Sequence, residues 1–220
     1  MEKPFNFVLI GRSGSGKGTQ AKLLMEHFGN FFYISTGDLF RDLLKQDTDA
    51  AKRVKKIVTG GGLPYDDLAT TLWMHEIAYN VKEDQGIMAD GFPRRLKEAQ
   101  VLDEFLEFLE RKENTFYLLI DISRQDAFER LTKRRICQKC EELIPWVGEF
   151  KKLKVCHKCG GNLIERPDDK PEAIKSRLDY YDEKVSQVVG YYEKQGVLLK
   201  INGDQPIEDV LKDILKAINK

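Results

Sequence analysis

The sequence predicts an α/β fold: five parallel strands flanked by helices, with two inserted segments that cover one edge of the sheet. Three observations predict it. Short apolar runs of strand length alternate with stretches of helical period, the signature of strand–helix–strand units. The first run, residues 5–10, passes through a glycine-rich loop straight into a helical stretch. Two segments, residues 35–64 and 133–168, break the alternation and read as insertions projecting from the core.

Residues 5–10 (FNFVLI) are rich in strand formers and are closed by glycine. Residues 19–28 then place Ala21, Leu23, Leu24, Met25 and Phe28 at helical spacing. Further strands are expected at 31–35, 87–90, 116–121 and 197–201, and helices at 37–44, 67–81, 96–111, 125–134 and 171–195. The last helix, 207–220, carries Ile207, Val210, Leu211, Ile214, Leu215 and Ile218 along one stripe. A sheet of this kind is covered on both faces. Its ligands bind beyond the carboxyl ends of the strands, so the insertions stand where they can cover a site. The expected division is a core of residues 1–34, 65–132 and 169–220, a first insertion of 35–64 and a second of 133–168.

Composition narrows the function classes. The chain has 220 residues, and 36 basic side chains balance 36 acidic ones, which argues against a dedicated nucleic-acid binder. No apolar stretch approaches the ~20 residues that span a bilayer. The N-terminal apolar run is too short for a signal peptide. The expectation is a soluble cytoplasmic protein with no membrane and no nucleic-acid partner. The four cysteines all fall between Cys137 and Cys159, unlike a secreted disulfide framework.

GRSGSGKGT, residues 11–19, follows a strand and opens a helix, the context of a phosphate-binding P-loop. Its glycines let main-chain amides face a polyphosphate, and the helix N-terminus adds partial positive charge. Gly14, Ser15, Gly16, Lys17, Gly18 and Thr19 are the candidate phosphate-binding residues, Lys17 as a positive charge for the transferred phosphate. The hydroxyl residue that commonly follows the lysine is displaced by one, because Gly18 precedes Thr19.

Two further segments suit phosphate chemistry. In STGDLFR, residues 35–41, Thr36 stands near a helix start and Arg41 could fork onto a phosphate. In DGFPR, residues 90–94, Asp90 ends a strand at the ligand-bearing edge and could hold Mg2+ through water, with Arg94 near the acceptor. Cys137-x2-Cys140 and Cys156-x2-Cys159 have zinc-ribbon spacing, and four thiolates suit a structural tetrahedral Zn2+ with no open position. His157 reads as a bystander. From residue 130 to 166 there are ten Lys or Arg against four Glu, a basic flap suited to a polyphosphate.

The GKGTQ form of the loop, STGD…R, DGFPR, an arginine-flanked cysteine segment and a final INGDQ loop (201–205) occur in one order over nearly the whole chain. In this the chain resembles adenylate kinases and their nucleoside-monophosphate kinase relatives, of the bacterial type with a zinc-binding lid. The resemblance implies a P-loop NTPase-type sheet with two mobile covers, an acceptor-binding segment and a zinc-binding lid. It implies MgATP as donor, AMP as acceptor and ADP as product, in a monomer. On the ATP side it implicates the loop residues with Arg130, Arg134, Leu143, Ile144 and Gln205, the last mainly through backbone. On the AMP side it implicates Thr36, Arg41, Gly62, Leu63, Pro64, Gly91, Phe92, Pro93, Arg94, Glu98, Arg166 and Arg177, with a cis bond before Pro93. Lys17, Arg94, Arg130, Arg134, Arg166 and Arg177 become the catalytic cations.

Some positions depart from the family pattern. Ser13 stands where proline is usual, and Leu143-Ile144 replaces a polar–aromatic pair. Glu98 replaces the usual glutamine. An ionised glutamate only accepts hydrogen bonds, which suits guanine's donors better than adenine's pairing edge. A kinase for another monophosphate such as GMP is therefore the alternative enzyme. A P-loop and zinc-ribbon module that binds nucleic acid is the alternative from another class.

Overall fold

The computed structural model describes residues 4–59, 64–166 and 169–219. Five parallel strands form the central sheet: β1 (Asn6–Ile10), β2 (Phe31–Ser35), β3 (Gly86–Asp90), β4 (Thr115–Asp121) and, near the C-terminus, Leu198–Asn202. Their spatial order puts β1 at the centre, with β3 and then β2 on one side and β4 and then Leu198–Asn202 on the other. The chain runs to one edge, returns, and crosses to the other side of β1. The crevice at such a reversal is where a doubly wound sheet binds ligands.

Both sheet faces are apolar, because alternate residues of one strand serve opposite layers. Val8 and Ile10 pack under α4 (Asp66–Asn80), α5 (Leu96–Phe108) and α8 (Ser186–Lys194), through Trp73, Ile77, Leu102, Leu106, Val188 and Tyr192. Phe7 and Leu9 pack under α1 (Lys17–Phe28) and α9 (Ile207–Ile218), through Ala21, Leu24, Val210 and Ile214. A third cluster, Ile122, Ala127, Leu131, Ile174 and Leu178, joins α6 (Arg124–Lys133) to α7 (Pro171–Tyr180) at the base of the second insertion.

The first insertion carries α2 (Thr36–Leu43) and α3 (Asp49–Thr59). The glycine run that follows, including Gly62 and Leu63, lies outside the described residues. The second insertion is a small antiparallel sheet: β5 (Arg135–Cys137) between β6 (Leu143–Ile144) and β7 (Leu163–Glu165). The last core strand is accordingly β8 (Leu198–Asn202).

Two expected helices differ. The stretch 96–111 leaves helical geometry after Phe108, because Glu110 adopts a left-handed φ of 55° and the Arg111 amide bonds back to the Leu106 carbonyl. The stretch 171–195 is not one α-helix: a π-turn at Tyr181–Val185 separates α7 from α8. Hydrophobic spacing locates a helix, but a single wide turn inside it leaves no mark on that pattern.

Candidate functional site

The carboxyl ends of β1 and β3 build the floor. From Ile10 the chain enters the P-loop, where Gly14 and Gly16 have φ of 86° and 99°. A Cβ on Gly14 would also lie 3.0 Å from Leu131 of α6, so both conformation and contact select glycine. Lys17 Nζ donates to the Gly11 and Arg12 carbonyls, each at 2.8 Å. Burial lowers its pKa to about 8, with Arg94 and Arg134 reinforcing and Asp90 opposing.

Gly18 has a contact reason. A Cβ there would stand 3.3 Å from Asp90 Oδ2 and 3.8 Å from the Tyr33 hydroxyl. The displaced loop hydroxyl thus gives way to the β3 carboxylate. Tyr33 donates to Asp90 Oδ2 at 2.9 Å, and burial, then the Asp90 charge, raise its phenol well above the ordinary value.

On the neighbouring strand ends, Arg94 is fixed by its own turn. Its Nε donates to the Gly91 carbonyl (2.6 Å) and its Nη2 to Thr36 Oγ1 (3.0 Å), while that hydroxyl donates to the Gly91 carbonyl (3.0 Å). The Phe92–Pro93 peptide is cis. Glu98 is 3% exposed. Its Oε1 accepts from the Trp73 indole (2.9 Å) and its Oε2 from the Arg94 amide (2.6 Å), and Trp73 stacks on Phe92 at 5.1 Å. Burial raises the Glu98 carboxyl above its ordinary value against the pull of these donors.

The cations of the second insertion converge on one carboxylate. Asp169, its side chain 4% exposed, accepts from Arg134 through both oxygens and from Arg177 Nη2 at 2.7 Å. Burial would raise Asp169, but the two guanidiniums hold it below the usual carboxylate range. The Asp169 amide also donates to the Arg166 carbonyl. Arg130 donates from both Nη atoms to the Gly203 carbonyl (3.1 Å) and to Asp204, tying α6 to the final loop. In that loop the Gln205 side chain donates to Asp213 of α9 (2.8 Å). Leu143 and Ile144 are strand residues of the small sheet, Ile144 buried and paired with Arg135. Arg41 is half-exposed, pairs with Asp38, and lies over Gly37.

Two clefts open on this arrangement. One is lined by Gly11, Ser13, Lys17, Arg94 and Arg177. The other is lined by Thr36, Phe40, Pro64, Arg94 and Glu98. Arg94 and Tyr180 border both.

The four cysteines meet at the tip of the second insertion, with all four Sγ atoms within 4.8 Å of one another. Neighbouring sulfurs are 3.3–3.6 Å apart, near the edge of about 3.8 Å that a tetrahedron with 2.3 Å Zn–S bonds requires. The two CxxC turns repeat one geometry: Glu141 N bonds to Cys137 O and Gly160 N to Cys156 O, and Glu141 and Gly160 both have positive φ. Main-chain amides of Cys140 and Lys139 pull the Cys137 thiol down to about 6. The Glu142 amide favours a thiolate at Cys140 as well, yet the crowding sulfurs and burial push that thiol up to about 12. Four sulfur donors converging at this spacing are a set that a divalent cation completes. Glu142, beside the cluster, pairs with Lys158 and with Lys22 of α1 (3.5 Å), bringing this insertion against the core.

Sequence reasoning missed two residues. Asp169 lies three residues after Arg166 in the sequence, but only the fold brings Arg134 and Arg177 to it. Tyr33 reads as a strand residue, and nothing in sequence marks its reach to Asp90.

A parallel sheet with a P-loop at its reversal point, and two clefts meeting at an arginine, define a P-loop nucleotide phosphotransferase. Comparison with known proteins agrees. The adenylate kinase family model matches residues 9–197. Similar proteins named adenylate kinase include those of Thermotoga petrophila (36% identical, covering 96% of each chain), Methanocella arvoryzae (38%, covering 97% of this chain and 98% of the relative) and Thermosipho africanus (34%, covering 98% and 100%). The chain belongs to the adenylate kinase family. No helix among the described residues is long and apolar enough to cross a membrane.

Proposed function

We propose that this protein transfers the terminal phosphoryl group of ATP to AMP, ATP + AMP ⇌ 2 ADP. The observation that carries the proposal is Arg94, shared by a cleft bordered by Lys17 and a cleft bordered by Thr36. ATP occupies the first, on residues 14–19 with Arg130, Arg134 and the 201–205 loop, and AMP the second, with Thr36, Arg41, Pro64 and the 90–94 turn. Residues 35–64 and 133–168 act as two covers on a core of 1–34, 65–132 and 169–220.

An AMP phosphate oxygen attacks the γ-phosphorus in line. A new O–P bond forms as the bond to the β–γ bridging oxygen breaks, and ADP leaves. The nucleophile is already anionic, so no proton must move and no general base is required. Lys17, Arg94, Arg130, Arg134, Arg166 and Arg177 neutralise the equatorial charge. The pairs that Arg134 and Arg177 make with Asp169 orient both guanidiniums in advance. The covers exclude water, which would otherwise accept the phosphoryl group.

Mg2+ accompanying ATP would screen the phosphate charge, and Asp90, oriented by Tyr33, is the residue to hold it through water. Zn2+ would be held by Cys137, Cys140, Cys156 and Cys159 as a structural brace of the lid. Both Glu98 oxygens already hold protein donors, which weakens its claim as a reader of guanine and favours AMP. A cytoplasmic location fits four cysteines that form no disulfide, and a monomer is the family expectation.

The test is ADP formation from ATP with AMP, GMP, CMP or UMP. AMP is the expected acceptor, and preferential use of GMP would overturn this reading. Lys17→Met should lose at least about 10²-fold in kcat with an unchanged melting temperature.

A further inference from the structure

Arg12 follows the first glycine of the phosphate loop, and its backbone and side chain serve different partners. Its main-chain oxygen accepts from Lys17 Nζ at 2.8 Å and from the Ser15 amide at 3.1 Å. Its guanidinium reaches the helix that follows the lid. Nη2 donates to Asp182 Oδ1 (2.8 Å), Nη1 donates to the Ile122 carbonyl (3.0 Å), and the guanidinium carbon stands 4.4 Å over the Tyr181 ring. Tyr181 and Asp182 open the π-turn, and π-turns inserted in α-helices are often found at functional sites. Asp182 is held a second time by Arg124, which also pairs with Asp179.

One residue thus seats the loop lysine with its backbone and the π-turn with its side chain. Arg177 lies four residues before Tyr181 on α7, one helical turn away, so the turn's position sets where that guanidinium stands. Arg177, Tyr180, Tyr181 and Lys17 border the same cleft. Resting on the phosphotransfer reading above, we propose that Arg12 is a positioning residue. It locks the π-turn to the phosphate loop, so that Arg177 and Lys17 meet the transferred phosphoryl group in one fixed geometry. Displacing a reacting group by about 1 Å costs up to about a hundredfold in rate, and loss of this lock should act on that scale.

The test is steady-state ADP formation, at a temperature well below melting, by wild type, Arg12→Ala, Asp182→Asn, Arg177→Lys and their pairs. Arg12→Ala should lower kcat roughly tenfold or more with the KM for AMP little changed. The Arg12→Ala effect should shrink in the Asp182→Asn background, which loses the ion pair but keeps the Asp121, Ile122 and Tyr181 contacts, and should fall to within about twofold in the Arg177→Lys background, where the target is gone. Arg12→Lys, which keeps charge but not the planar fork, should recover only part of kcat. If Arg12→Ala multiplies with Arg177→Lys, or leaves kcat unchanged, the positioning role is wrong. If wild type itself forms no ADP from ATP and AMP, the phosphotransfer reading fails instead. Should Arg12→Ala not fold, Asp182→Asn paired with Arg177→Lys reads the same coupling from the other end.

Discussion

Replacing Glu98 by glutamine keeps the shape of the side chain and removes one acceptor. In the native protein the carboxylate receives the Trp73 indole N–H on one oxygen and the Arg94 amide on the other, at 3% exposure, so no water can substitute. The glutamine oxygen can satisfy one of these donors, and its NH2 must then face the other. The loss is one hydrogen bond to a charged group, about 1.5–3 kcal/mol. Glu98→Ala strands both donors, about 1–3 kcal/mol each. Trp73→Phe removes one confronting donor, so the double variant Glu98→Gln/Trp73→Phe should be more stable than the sum of the singles by about 1 kcal/mol. The pH dependence has a defined sign. Burial raises the folded pKa above 4.5, so the Glu98 contribution is full below pH 4.5 and is lost as pH rises through the raised folded value. The gap between wild type and Glu98→Gln should therefore widen as pH falls from 7 towards 4.5. Urea denaturation followed by far-UV circular dichroism reads these differences. A Glu98→Gln variant within about 0.5 kcal/mol of wild type at pH 7, or strictly additive singles, would refute the assignment of Glu98 as the buried acceptor of this turn.

Lys17, with a pKa of about 8, is about three-quarters neutral at pH 8.5, and a bound polyphosphate restores its charge. ATP binding at pH 8.5 should take up about three-quarters of a proton, measured by calorimetry in buffers of different ionisation enthalpy; no uptake, or equal uptake by Lys17→Met, refutes the shift. Asp169→Ala removes the carboxylate that two largely buried guanidiniums share, at a cost of about 3 kcal/mol or more, and should lower both the melting temperature and kcat. In wild type the Asp169 contribution is present above pH 3.8 and lost as pH falls through its depressed folded value. Chelating the lid metal should lower the melting temperature by at least about 5 °C, the shift expected for roughly 2 kcal/mol in a chain of this size, with a smaller loss of low-temperature activity. Lost activity with unchanged melting would contradict a structural metal.

The sequence by itself determined the sheet, the glycine-rich loop and the four-cysteine cluster, because each rests on local chemistry. Strand-length apolar runs, glycines before a lysine, and paired cysteines at fixed spacing keep their meaning wherever the chain places them. The tertiary structure alone decided which groups meet. Asp169 joins Arg134 to Arg177 across 35 and 8 residues of chain, Tyr33 finds Asp90 57 residues away, and Arg12 finds Asp182 170 residues away. Glu98 read as a base-recognising position, and only packing turned its oxygens onto Trp73 and the Arg94 amide. The reason is physical: spacing in sequence fixes what one turn of backbone can reach. The partner of a buried charge is chosen by whichever distant group folding brings within hydrogen-bond distance, since a buried charge left unpaired costs too much to persist.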